Sequence, residues 1–189
     1  MARGLSKRDA YAKLLGSPAK VDRMGSKMKT LFSSHGLEYS LEGLIGPTLD
    51  SHRLVEYSRQ RGGPEMQDKV VEGLFRAYFS EGRDISDPSV LAALAREVGL
   101  EGAEELLHST SPSKNGSVEV SKAIDMARSM GVTGVPHFFF SYQPSTDKLA
   151  APLQFAVPGA QDPDVFQMVF NKLVAKGKEQ HREATKAKL

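Results

Sequence analysis

Apolar residues recur at three- and four-residue steps through the first two-thirds of the chain. Val21, Met24, Met28, Leu31 and Phe32 make one such stripe, which predicts a helix over residues 18–34. Ser17 before Pro18 is its start signal, and Gly36 its stop. A shorter helix precedes it over residues 6–15, with Leu5, Tyr11, Leu14 and Leu15 as its apolar contacts. Residues 37–45 carry no period and read as an irregular connection. Thr48 is placed to cap a helix over residues 49–61, and Gly62-Gly63-Pro64 closes that helix and opens the next. Met66, Val70, Leu74 and Phe75 line this next helix, with Tyr78 and Phe79 near its end. Packing in the core is the expected role of Phe75, Tyr78 and Phe79, ahead of a substrate groove. Beyond the polar loop 80–84, Ser86 or Asp87 with Pro88 starts a helix faced by Val90, Leu91, Leu94 and Val98 and ended by Gly99. A short helix over 102–107 and a polar loop over 109–117 follow. Residues 118–130 are again helical, with Ile124, Ala127 and Met130 as the expected buried positions.

The period then changes. Gly131 to Phe140 reads Gly-Val-Thr-Gly-Val-Pro-His-Phe-Phe-Phe. Two glycines three apart permit a tight turn, and proline is tolerated at the first residue of a strand. Phe138, Phe139 and Phe140 predict a buried strand, aromatic and too short for a helix. After a polar loop at 143–148, residues 153–157 alternate and predict a second, antiparallel strand. Pro158-Gly159-Ala160 ends it. Asp162 and Pro163 start a last helix faced by Val165, Phe166, Val169, Phe170 and Leu173, and residues 176–189 read as a basic tail or helix extension. The order is a block of helices, then strand, strand, helix, with no internal repeat.

Composition narrows the chemistry. A length of 189 residues fits one domain, or one domain with an inserted subdomain. A net charge of +2 gives no case for nucleic acid. No apolar run is long enough to span a membrane, and the first residues read as no secretory signal. Cysteine is absent, so these residues supply no thiolate for disulfide exchange or for a metal site. His35, His108, His137 and His181 fall at no metal-ligand spacing. There is no Gly-x-Ser-x-Gly elbow and no phosphate-binding glycine loop. The tail lysines lack interleaved aromatics, which favours a solvated helix face. No cofactor, metal or catalytic residue is therefore assigned.

Five segments in order give the chain its likeness. They are Thr48-Leu49-Asp50-Ser51-His52-Arg53-Leu54, Leu74-Phe75-Arg76-Ala77-Tyr78-Phe79, Glu81-Gly82-Arg83-Asp84-Ile85-Ser86-Asp87, Gly131-Val132-Thr133-Gly134-Val135-Pro136 and Gly159-Ala160-Gln161. Together they resemble the DsbA-like branch of thioredoxin-fold proteins, above all the FrnE-like group. Kappa-class glutathione transferases and 2-hydroxychromene-2-carboxylate isomerases are related to that branch. The resemblance implies an α/β protein with an incomplete thioredoxin-like fold and a large helical insertion, mostly helical by residue count. It divides the chain into a helical inserted subdomain at 1–117, the C-terminal part of the thioredoxin-like domain at 118–175, and the tail. It also implies a cis bond at Val135-Pro136.

In that family a strand, a helix with the Cys-x-x-Cys site and a second strand come first, and this sequence opens in the region that follows them. An incomplete gene product, a splice form and a chain that pairs an open strand edge with a partner are the three readings left open. The resemblance implies a member of a disulfide oxidoreductase family without dithiol activity of its own. Two alternatives stand beside it: a binding or assembly module that uses the open sheet edge, and a glutathione-dependent isomerase or transferase relative. The substrate-binding positions it implies are Val135 and Pro136, for a peptide or thiol substrate, with His52 and Arg53 near the same side. Homo- or hetero-oligomers through the open edge are the expected partners, with no nucleic acid and no membrane. The expected location is cytoplasmic, or peroxisomal or glycosomal because Ala187-Lys188-Leu189 resembles the Ser-Lys-Leu address.

Overall fold

A computed structural model of the chain describes residues 4–111, 115–142 and 153–186. Among them the chain is mostly helical, with two antiparallel two-stranded sheets. It divides into two compact units, Met1–Ile124 and Asp125–Leu189.

In the first unit, β1 (Leu5–Ser6) leads into α1 (Lys7–Leu15), and α2 (Pro18–Ser34) returns beside it. Ser6 and Ser17 cap the two helices as N-cap residues do, each accepting a backbone N–H three residues on. The connection at 37–45 is not wholly irregular: β2 (Leu44–Ile45) pairs with β1. Each strand has only two residues, too few for an alternating pattern to appear in the sequence. α3 (Leu49–Phe75) is two helices joined at a sharp break, because Gly62 and Gly63 leave helical geometry just before Pro64. Thr48 precedes it without a side-chain capping bond. A single π-helical turn, Arg76–Ser80, ends this run. Then come α4 (Pro88–Glu97), capped by Asp87 through the Ser89 N–H, and α5 (Ala103–His108). Leu54, Val70, Leu91 and Leu94 form the fully buried centre where α3, α4 and α5 meet. Burial of one such side chain contributes about 1.5–3 kcal/mol.

Two sequence expectations of burial fail. Leu5 and Leu14 of the first helical segment are exposed, and the buried residue there is Lys7, at 2% exposure. In α6 (Ser117–Ser129) Val120 is buried, while Ile124 is exposed and Met130 just beyond the helix is 51% exposed. A periodic stripe becomes core only if another element lies across it.

The second unit holds β3 (His137–Tyr142), β4 (Leu153–Pro158) and α7 (Pro163–Lys186). β3 and β4 pair antiparallel with Phe138 opposite Val157 and Phe140 opposite Phe155. The Val135-Pro136 bond is cis. α7 packs on the sheet through Phe166 and Phe170, whose rings lie 5.0 Å from Phe138 and 5.3 Å from Phe140 respectively. Val157, Val169 and Leu173 are the buried centre. The aromatic strand is not buried as the sequence suggests: Phe139 is 50% exposed, because side chains alternate along a strand and α7 covers the other face, and Phe138 on the α7 face is still 38% exposed. Residues 176–186 continue α7 rather than fray. The loop at 143–148 and Ala187-Lys188-Leu189 lie outside the described residues.

Candidate functional site

The first unit contains an apolar cavity of about 430 Å³. Its walls come from β2, the first turns of α3, and the end of α3 with the π-helical turn. The widened turn decides its shape. The last four carbonyls of a helix have no intrahelical partner and must be satisfied from elsewhere. The Phe79 carbonyl accepts the Ser40 N–H at 2.7 Å, and the Tyr78 carbonyl accepts the ammonium of Lys7. That ammonium also lies 4.0 Å from the centre of the Tyr78 ring. Burial lowers the pKa of Lys7, with the Glu42 carboxylate pulling the other way. Burial raises that of Tyr78, helped by its hydroxyl contact with Tyr11 at 3.2 Å. Lys7 therefore holds the turn that carries Tyr78 and Phe79 against the cavity.

Phe75, Tyr78 and Phe79 line the cavity; Tyr78 and Phe79 are half-buried, while Phe75 is 55% exposed, so core packing does not account for Phe75. Their sequence signal was the aromatic cluster itself. What the sequence did not carry is the change of helical pitch that turns them to one side. His52 and Thr48 sit one helical turn apart on the same wall. Neither side chain has a hydrogen-bond partner among the described residues.

Arg53, the neighbour of His52, is elsewhere. It is buried, donating to the Asn115 and Leu106 carbonyls and to Asp50 at 2.6 Å. Its guanidinium braces α3 against α5 and the segment before α6 and does not line the cavity. Gly43 and Gly82 press together behind β2, where a Cβ on Gly43 would fall on the Gly82 carbonyl.

In the second unit, Val135 stands 89% exposed immediately before cis Pro136. The Pro136 carbonyl accepts the Gly159 N–H at 2.8 Å, which fixes the hydrogen-bond phase of the ladder. Phe138 and Phe140 then exchange bonds with β4, and the backbone groups of His137, Phe139 and Ser141 point away from it. That outer edge has no partner strand among the described residues. His137 fits no metal pattern, so the sequence alone does not single it out. Its ring lies 4.7 Å from Phe139, and its Nε2 is buried with no partner among the described residues. Its position directly after the proline was the available signal.

A family model for the DSBA-like thioredoxin domain matches residues 2–171. The chain belongs to the DSBA-like thioredoxin family. No curated protein is similar enough to match it. The cis bond and the aromatic strand that follows it thus lie within a DSBA-like domain, in a chain whose 189 residues contain no cysteine. No helix among the described residues is long and apolar enough to cross a membrane. No cluster of His, Asp and Glu suited to a metal occurs among them.

Proposed function

We propose that this DSBA-like chain is a binding member of its family. It takes an extended peptide strand against the outer edge of β3, beginning at Val135 and Pro136, and its own residues carry out no thiol–disulfide exchange. The observation that carries the reading is the outward set of backbone groups on His137, Phe139 and Ser141, beside an 89% exposed Val135. Main-chain hydrogen bonds supply affinity in strand addition, and alternate side chains supply selectivity. Exposed Phe139 and the His137 ring beside it offer an apolar surface on the side away from α7. An unpaired, partly apolar edge also favours self-pairing.

The test uses a labelled, lysine-flanked Thr-Val repeat peptide in fluorescence anisotropy, with light scattering of the free chain. Peptide binding that Phe139→Pro removes is expected. That substitution deletes an edge N–H and leaves the β4 ladder intact. Binding unaffected by Phe139→Pro would refute the reading. Reduction of insulin by the purified chain would refute its second half.

A second reading draws on the cavity beside His52. Its apolar walls suit a small molecule with an apolar body and one hydrogen-bonding end, better than a tripeptide with two carboxylates such as glutathione. Binding of anilinonaphthalene sulfonate that weakens in Phe75→Ala and His52→Ala would favour this ligand class. Glutathione binding by calorimetry, lost in the same variants, would contradict it.

A further inference from the structure

The α1–α2 hairpin carries a charge that the rest of the chain does not. Residues 7–34 contain seven basic residues and two acidic ones, in a chain whose net charge is only +2. Along α2, Lys20, Arg23 and Lys27 form an exposed row. Beside it Leu15, Met24 and Met28 floor a shallow groove of about 410 Å³. Leu14 stands 78% exposed and Leu31 52% exposed on the same two helices. Val21 and Gly25 are the buried positions of α2, next to the methionines on the same stripe, and Leu41 closes on Gly25. Among the described residues, Asp22 is committed to Arg8, and no carboxylate lies within ion-pair distance of Lys20, Arg23 or Lys27.

We infer that this groove docks an amphipathic helix of a partner protein, one with an apolar stripe flanked by acidic residues. The charge is complementary to such a helix, since three unpaired cations rim one side of an apolar floor. Methionine floors accommodate varied apolar side chains because the unbranched thioether repacks. The floor is concave and lies between two helices, which suits a helix laid into it and its anchors at i, i+3, i+4 and i+7. A bilayer would instead be met by a convex apolar face.

The experiment titrates the full chain against two labelled stapled helices, one with Leu anchors and Glu flanks and one with Lys in place of Glu. Vesicles of phosphatidylglycerol form the third arm. The Glu helix is expected to bind at least about tenfold more tightly than the Lys helix, and to weaken as salt is raised. The triple variant Lys20→Glu, Arg23→Glu, Lys27→Glu, altered only at exposed positions, is expected to reverse that order. Met24→Gln with Met28→Gln is expected to weaken the Glu helix while the charges remain. Equal binding of both helices, or binding of neither, overturns the proposal. So does vesicle binding without helix binding, which would assign the surface to an anionic membrane.

Discussion

Replacing Arg53 with methionine separates a brace from a ligand contact. The guanidinium is buried and spends its donors on the Leu106 and Asn115 carbonyls and on Asp50. Hydrogen bonds to a charged group are worth about 1.5–3 kcal/mol each. Breaking one side of a buried pair costs about 3–5 kcal/mol. The Asp50 side chain keeps 30% of its exposure, so its carboxylate regains water once Arg53 is gone. That places the loss near the lower bound, about 3 kcal/mol. With a urea slope of about 2 kcal/mol/M, the midpoint falls by about 1.5 M. Four of the five tyrosines, Tyr11, Tyr39, Tyr57 and Tyr78, lie in the first unit and there is no tryptophan, so tyrosine fluorescence reports its unfolding. Arg53→Lys is expected to fall between, since the charge remains and the planar fork is lost. A midpoint unchanged in Arg53→Met, together with lost binding of a cavity ligand, would refute the brace and return Arg53 to the site.

The other predictions rest on local features of the first unit. Burial holds the Lys7 pKa below its ordinary 10.5, so the unfolded chain binds more protons between the folded value and 10.5. Stability should therefore rise with pH across that window, and Lys7→Met should flatten the rise in urea titrations. Tyr39 and Tyr78 are shifted upward by burial, so above their ordinary value of 10.0 they act in the opposite sense and stability should fall. Asp87→Ala removes the α4 cap and should cost about 1 kcal/mol at neutral pH. Ser89 holds the Asp87 carboxyl below its ordinary 3.8, so that stabilisation should be present above 3.8 and vanish as acid titrates the group. Gly43→Ala should destabilise by about 2 kcal/mol or more, read as a lowered thermal midpoint, because left-handed backbone and the Gly82 carbonyl both oppose a Cβ.

Local punctuation was the legible part of the fold. Gly62-Gly63-Pro64, Ser17-Pro18 and Asp87-Pro88 each act within a few residues, and each falls where the chain breaks or starts a helix. The strand pair after Pro136 was legible because turn residues and alternation bracket it. Burial was less so, since it depends on what lies across a stripe: Ile124 and Met130 have the right spacing and stay exposed. The cavity was hidden for a related reason. It needs the π-helical turn, which is held by an ammonium from Lys7, far away in sequence. Likewise nothing about Arg53 in the sequence says that its acceptors are carbonyls of Leu106 and Asn115.

Residue-resolved amide hydrogen exchange of β3, with and without the Thr-Val peptide, tests the account most directly. In the free chain Phe138 and Phe140 should exchange slowly, because their N–H groups bond β4, and Phe139 and Ser141 should exchange fast. Saturating peptide should slow Phe139 and Ser141 and leave the other two as they were. Phe139 as protected as Phe140 in the free chain, or a bound peptide that leaves Phe139 and Ser141 exchanging freely, would contradict strand addition at this edge.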